Sequence, residues 1–135
     1  MIKAKGEVLD TFVDRVTSNA FSISQDRYGN HVVQYIIELN VPQINQEITV
    51  QLKGEFGYLE EIANKITDEI LSSPQALQVL LNPYGNYVAQ SALEASTGST
   101  RNALDQLIER SSPQLQTTTW GRIVLGNKSK ILNQN

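Results

Sequence analysis

Apolar residues recur at intervals of three and four positions along almost the whole chain. In residues 7–17 they are Val8, Leu9, Phe12, Val13 and Val16. The same spacing returns in residues 28–39, 43–53, 61–71, 76–81, 84–95 and 103–108. Residues at this spacing lie on one face of an α-helix. No segment alternates with a period of two over a useful length, so the pattern predicts an all-α protein.

Proline, glycine and small polar residues separate the predicted helices. Asn40 and Pro42 end the helix at 28–39, Gly54 ends the next one, and Ser-Ser-Pro sequences at 72–74 and 111–113 end two later helices. Proline cannot continue a helix, and glycine is the preferred residue just beyond a helix end. The punctuation therefore supports the helices that the apolar spacing predicts.

One heptad occurs twice in the chain. Residues 28–34 are Tyr-Gly-Asn-His-Val-Val-Gln, and residues 84–90 are Tyr-Gly-Asn-Tyr-Val-Ala-Gln, so that five of the seven positions are identical. The fourth position is His31 in the first copy and Tyr87 in the second, so both copies have a flat ring there. Asp26, just before the first copy, is a candidate N-cap. Recurrence at this fidelity predicts a structural module that is used more than once.

The spacing of the copies predicts a period and a gap. Trp120 lies 36 residues after Tyr84 and begins Trp-Gly-Arg, a degraded third copy, whereas the two heptads lie 56 residues apart. After Leu59 the chain passes directly into what resembles the third helix of a unit, so the middle helix of that unit is predicted to be absent. The predicted units are approximately 18–54, 55–71 (incomplete), 74–110 and 113–135 (a cap). An incomplete unit leaves apolar faces without a neighbour, which predicts self-association.

Composition and charge exclude several function classes. The 135 residues include no cysteine and one histidine, which leaves no thiolate metal site and no visible catalytic set, so we predict no enzyme, metal or cofactor. Residues 1–110 hold 8 Lys and Arg against 14 Asp and Glu, whereas residues 111–135 hold three basic residues and no acid. The excess of acidic residues in 1–110 argues against nonspecific binding of phosphates. No signal-peptide or membrane-span pattern is present, so the default is a cytosolic or nuclear protein, and of the two we expect a cytoplasmic one.

A 36-residue, three-helix repeat whose middle helix begins Tyr-Gly-Asn-aromatic-Val-x-Gln resembles the Pumilio (PUF) family of RNA-binding repeats. The matching segments are residues 26–34 and 82–90, and residues 120–122 resemble the imperfect unit that caps such arrays. The resemblance implies an α-solenoid, an armadillo- or HEAT-like superhelix, of which this chain is the C-terminal part of a longer crescent. It also implies binding to the 3′ untranslated regions of mRNA and, with protein co-regulators, control of translation or decay.

The residues of the heptad can match a nucleobase. Positions i and i+4 share a helix face, so Asn30 and Gln34 are expected to present two amides side by side, as are Asn86 and Gln90. Amides both donate and accept hydrogen bonds, which suits the Watson–Crick edge of uracil. By resemblance, the base-edge contacts are assigned to Asn30, Gln34, Asn86 and Gln90, and stacking on the base to His31 and Tyr87. Arg122 has the first of these positions in the cap and is not expected to contact a base.

The remaining heptad positions are predicted to be structural. Tyr28, Tyr84 and Trp120 are expected to pack between repeats, and Gly29 and Gly85 to permit close approach of helices. Val32 and Val33 are expected in the core.

Two functions from different classes follow from the sequence. The first is sequence-specific binding of single-stranded, uridine-containing RNA, in which each repeat recognises one base. The alternative is an α-helical scaffold that binds protein without RNA specificity. The acidic balance favours the scaffold, and the duplicated amide and aromatic positions favour RNA.

Overall fold

The computed structural model describes residues 5–40 and 59–133. Within these ranges the chain forms helices and no strand, which confirms the all-α prediction. The helices are α1 (Lys5–Ser18), α2 (Ala20–Ile23), α3 (Gly29–Glu38), α4 (Leu59–Leu71), α5 (Ala76–Leu81), α6 (Gly85–Ala95), α7 (Gly98–Arg110), α8 (Ser112–Leu115) and α9 (Thr119–Asn133). The helix predicted at 43–53 lies outside the described residues.

The helices pack in two layers. The inner layer consists of α3, α6 and α9, with α6 between the other two. The outer layer consists of α1, α4 and α7, with α4 between the other two. The short helices α2, α5 and α8 each precede an inner helix and pack on it. This stacking of similar three-helix units is the predicted α-solenoid.

A single apolar core joins the two layers. Its fully buried side chains come from both layers and from the short helices, and the largest of them are Ile37, Ile66, Leu80, Leu93, Ile108 and Leu115. Ile37, Ile66, Leu93 and Ile108 lie on the apolar stripes of the longer helices, so the helical spacing of the sequence accounts for most of the core. Within the described ranges, no helix is long and apolar enough to span a membrane.

Glycine at the start of each inner helix allows the short helix before it to pack closely. A Cβ on Gly29 would lie 2.7 Å from Ile23 Cγ2, and a Cβ on Gly85 would lie 2.5 Å from the carbonyl oxygen of Val79. Gly121 meets the backbone of Leu115 in the same way. The expectation that Gly29 and Gly85 permit close approach of helices is confirmed.

The packing of α4 suggests another division of the first units. Helix α3 packs directly on α6 although the two heptads lie 56 residues apart, and α4 packs on α3 as well as between α1 and α7. Helix α4 thus has the position of an outer helix for the unit that contains α3. The predicted incomplete unit at 55–71 treated the same residues as a separate repeat. Because residues 41–58 lie outside the described ranges, the unit boundaries stay a prediction.

Two predicted packing roles are wrong. Tyr28 is 71% exposed, and the guanidinium carbon of Arg27 lies 5.4 Å from its ring centroid. Val32 is 42% exposed, whereas Val33 is buried as predicted. The equivalent of Val32 in the second copy, Val88, is fully buried. Since α6 has an inner helix on each side, this position is buried only where a preceding inner helix covers it.

Candidate functional site

A side-chain oxygen fixes the turn before each inner helix. Asp26 Oδ2 accepts hydrogen bonds from the backbone N–H groups of Tyr28 (2.9 Å) and Gly29 (2.7 Å). Asn82 Oδ1 accepts the equivalent two bonds at 2.8 and 2.9 Å. The donors at Gly29 and Tyr28 lower the pKa of Asp26 from its ordinary value. The N-cap of α3 is Tyr28, so the prediction that Asp26 is the N-cap is wrong; Asp26 instead holds the turn two residues before that position.

Asn30 and Asn86 lie beneath the surface at the start of their helices. Asn30 is 2% exposed and Asn86 is 0% exposed. Nδ2 of Asn30 donates to the carbonyl oxygens of Asp26 and Arg27, both at 2.8 Å. Nδ2 of Asn86 donates to Asn82 O at 2.8 Å and Pro83 O at 3.0 Å. Both hydrogens of each amide thus satisfy carbonyls of the preceding turn, and only Oδ1 remains.

The glutamines lie above the asparagines and are partly exposed. Gln34 Nε2 donates to Asn30 Oδ1 at 2.8 Å, and Gln90 Nε2 donates to Asn86 Oδ1 at 3.0 Å. The structure therefore brings each predicted amide pair together, as the i, i+4 spacing required. Within each pair the asparagine amide is buried, and the glutamine amide lies above it, nearer to the solvent.

The predicted stacking residues are on the surface. His31 is exposed, and Tyr87 is 42% exposed. Ile123, which has the same position in α9, is 36% exposed. Because α3, α6 and α9 are neighbours, these side chains occupy equivalent places on adjacent inner helices. An exposed ring beside a partly exposed amide is an arrangement that can hold one base by its face and its edge.

A groove of about 270 Å³ runs across the three inner helices. It is lined by both glutamines and by Tyr87, together with Glu38, Ser91, Glu94, Asn127, Lys130 and Ile131. Its charged side chains at neutral pH are two carboxylates and one amine. A groove with this charge attracts phosphates poorly, whereas its amides can form neutral hydrogen bonds with a base.

Two contacts across the groove were missed by the sequence interpretation. Ser91 Oγ donates to Glu38 Oε1 at 2.7 Å, which joins α6 to α3. Asn127 Nδ2 donates to Gln90 Oε1, which joins α9 to α6. Ser91 and Asn127 occupy the same register position, five residues after Asn86 and Arg122. Aligning the copies would have placed them on one face, but only the packing shows what they contact.

The third copy lacks the amide pair. Arg122 replaces the asparagine and is exposed, with Nη1 donating to Gln116 O at 3.1 Å. Gly126 replaces the glutamine, and nothing lies within 4 Å of a Cβ added there. Thr118 Oγ1 nevertheless accepts a hydrogen bond from Gly121 N at 2.9 Å, as Asp26 and Asn82 do in the other copies. Helix α9 thus keeps the turn geometry of an inner helix without the asparagine–glutamine pair of the other two copies.

Comparison with known proteins agrees with the repeat geometry. The sequence model of the Pumilio-family RNA binding repeat matches residues 19–49 and 75–104. Pumilio homolog 12 of Arabidopsis thaliana is 34% identical over 140 residues, covering 90% of this chain and 24% of the relative. Pumilio homolog 11 of the same plant is 32% identical over 122 residues, covering 78% of this chain and 22% of the relative. A Pumilio domain-containing protein of Schizosaccharomyces pombe is 26% identical over 135 residues, covering 87% of this chain and 20% of the relative. The chain thus spans about a quarter or less of each relative.

Proposed function

The chain belongs to the Pumilio (PUF) family of RNA-binding repeats, and we propose that it binds single-stranded RNA through α3 and α6, with uridine as the preferred base. In this proposal each of the two helices holds one base. The pairs Asn30–Gln34 and Asn86–Gln90 recognise the base edge, and His31 and Tyr87 stack on its face.

The observation that carries the proposal is the repetition of one polar geometry on two adjacent helices. Both asparagines are buried and bonded in the same way, and both glutamines extend from them to the surface of one groove. A solvated helix face has no requirement for such a repeated, oriented arrangement. Recognition of successive bases by successive helices does require it.

The charge of the groove predicts weak binding that rests on bases rather than phosphates. Glu38 and Glu94 lie in the groove, and the whole chain has a net charge of −3. Two bases at about 1–3 kcal/mol of stacking each give an affinity in the micromolar range or weaker. A small number of phosphate contacts also predicts a shallow dependence of affinity on salt concentration.

Fluorescence anisotropy with labelled oligouridylate and oligocytidylate of equal length tests the proposal. We expect the chain to bind oligouridylate more tightly, and the double variant Gln34→Ala/Gln90→Ala to lose most of that binding. Gln106→Ala is the matched control, because Gln106 is exposed on the outer helix α7. Equal binding of the two oligonucleotides would show that the assignment of the site is wrong. The same would follow if Gln106→Ala weakened binding as much as the double variant.

Stacking is tested separately from edge recognition. We expect His31→Ala and Tyr87→Ala each to weaken oligouridylate binding by about 1–3 kcal/mol, roughly 5- to 150-fold. Tyr87→Phe retains the ring and is expected to bind as the wild type does. If Tyr87→Phe weakens binding as much as Tyr87→Ala, the hydroxyl group and not the ring face makes the contact.

The output proposed for RNA binding is cytoplasmic control of mRNA translation or decay, through protein co-regulators. The competing candidate is a scaffold that binds a basic peptide, and it is favoured by the two carboxylates in the groove. A lysine- and arginine-rich peptide that competes with oligouridylate for the chain would support the scaffold. Failure of such a peptide to bind would leave RNA as the occupant.

A further inference from the structure

A row of charged residues crosses the groove one helical turn beyond the glutamines. Glu38, Glu94 and Lys130 each lie four residues after the glutamine position of their inner helix, and all three line the same groove. We propose that this charged row decides where the RNA backbone lies: the two carboxylates keep phosphates away from α3 and α6, and Lys130 binds one at α9. The proposal rests on the proposed RNA-binding function, and it adds a path for the phosphates to the assignment of the bases.

The three charges lie on one side of the inner layer. Positions i and i+4 share a helix face, so each charge follows its glutamine position along the groove. Because α6 lies between α3 and α9, the signs are negative, negative and positive across the neighbouring helices. One turn rises only about 5.4 Å, so a nucleotide held at Gln34 or Gln90 lies within the range of these charges at low salt, where the Debye length is about 30 Å.

Glu38 is held in the groove by a buried donor. The residue is half-buried, and Ser91 Oγ donates to its Oε1 at 2.7 Å. Ser91 is 4% exposed, so this donor is fixed in place by the packing of α6. Glu94 lies one turn beyond Gln90 and is exposed in the same groove. Two carboxylates in these places repel a phosphate, whereas the uncharged edge of a base meets no such repulsion.

Lys130 provides the opposite charge at the α9 end of the groove. Lys128, two residues earlier, is only 13% exposed and is engaged by Asp105 and Glu109 at 3.0 and 3.1 Å. Lys130 is exposed, and it takes part in none of the ion pairs among the described residues. An ammonium group in this state is a compact charge with donors that suit a phosphate. A backbone kept away from α3 and α6 therefore has a favourable contact at α9.

The charged row favours bases over phosphates as ligands of the groove. A polyanion without bases meets two repulsive charges and one attractive charge, and it gains nothing from the amides or the rings. Single-stranded RNA can insert its bases beside the glutamines and leave most of its phosphates outside. The selectivity depends on the place and sign of each charge and not on the net charge of the chain.

Neutralising the carboxylates tests the repulsion. In Glu38→Gln/Glu94→Gln the new amide oxygen can still accept from Ser91. We expect oligouridylate affinity to rise roughly tenfold at about 0.01 M salt, from a threefold effect of each unit charge at roughly 7 Å in water, and polyphosphate affinity to rise at least as much. The gain should largely disappear at 1 M salt, where the Debye length is about 3 Å. Glu61→Gln/Glu69→Gln on the exposed side of the outer helix α4 changes the net charge equally and is expected to have a much smaller effect.

Lys130→Gln tests the attraction, and its expected effect has the opposite sign. Oligouridylate affinity should fall about threefold at low salt, and the slope of log affinity against log salt should become shallower by about 0.7, as for one lost phosphate contact on a single strand. Lys65→Gln on α4 is the matched control, because Lys65 is exposed and its surface pair with Asp14 contributes little to stability. Circular dichroism verifies the helix content of every variant.

Three results would overturn the proposal. The first is an equal effect of the groove variants and their α4 controls, which would leave net charge as the cause. The second is loss of binding to a lysine-rich peptide in Glu38→Gln/Glu94→Gln without a gain for oligouridylate, which would assign the carboxylates to the scaffold function. The third is a wild type that binds oligouridylate, with affinities and slopes that the groove variants leave unchanged; the inference alone then fails. If the wild type binds no oligouridylate even at low salt, the proposed function fails and this inference fails with it.

Discussion

Replacing Gly85 by alanine tests the close packing of α5 on α6 most directly. The added Cβ would lie 2.5 Å from the carbonyl oxygen of Val79 and 3.0 Å from its Cγ1. An ordinary carbon–oxygen contact is about 3.3 Å, so the start of α6 must move by roughly 0.8 Å or the Val79 turn must distort. The obstacle is backbone, which a change of side-chain rotamer cannot relieve.

The magnitude follows from two opposing effects. Overpacking of this kind costs about 1–3 kcal/mol. Alanine gains up to about 1 kcal/mol over glycine within a helix, but less at Gly85, which is the first helical residue. We therefore expect Gly85→Ala to lower the free energy of unfolding by about 1–2 kcal/mol. For a domain of this size that corresponds to a fall in Tm of roughly 4–8 °C.

Gly126→Ala provides a control of opposite sign. Nothing lies within 4 Å of a Cβ at Gly126, which is in the interior of α9. Helix propensity alone then predicts a gain of up to about 1 kcal/mol and a Tm that rises by a few degrees. Circular dichroism at 222 nm during heating measures both variants. A Gly85→Ala protein as stable as Gly126→Ala would refute the inferred close approach.

The other predictions concern acid stability, the cap and association. Because hydrogen bonds lower the folded-state pKa of Asp26, its contribution to stability is complete above its unfolded pKa of about 3.9 and is lost as pH falls through the lower folded value. Asp26→Asn, which copies the second repeat, should therefore flatten the loss of stability below about pH 4 in unfolding titrations. Arg122→Asn/Gly126→Gln installs the amide pair in α9 and should raise oligouridylate affinity by about 1 kcal/mol, the net contribution of a hydrogen bond and roughly fivefold; unchanged affinity would mean that the amide pair does not hold a base without an aromatic ring beside it. Self-association, predicted from the sequence, is measured by sedimentation velocity across concentrations, and a constant monomer would contradict it.

The sequence predicted most of the local structure. Helical spacing located α1, α3 and α4 to α7 to within a few residues, because each helix buries one continuous apolar stripe. The largest difference is at α7, which begins at Gly98 rather than near Ala103. The positive φ of 54° at Gly98 lets the chain turn directly out of α6 into the next helix.

The sequence predicted which residues belong to the candidate site but not how deeply each of them is buried. The i, i+4 spacing placed each asparagine beside a glutamine, and the structure agrees. The spacing could not show that the asparagines are buried, because a helical pattern does not reveal how the preceding turn folds back over the helix start. That turn, held by Asp26 or Asn82, supplies the carbonyls that engage the asparagine amides.

By itself, the sequence determined the helical class, the repeated module and its family, because spacing, punctuation and motif are local properties of the chain. Only the tertiary structure decided which helices are neighbours. It placed α3 directly on α6 across 56 residues of sequence, buried Val88 while exposing Val32, and brought Asn127 to Gln90. Such contacts depend on which surfaces cover one another after the helices form. Two copies of one heptad can therefore have the same local geometry and different surroundings.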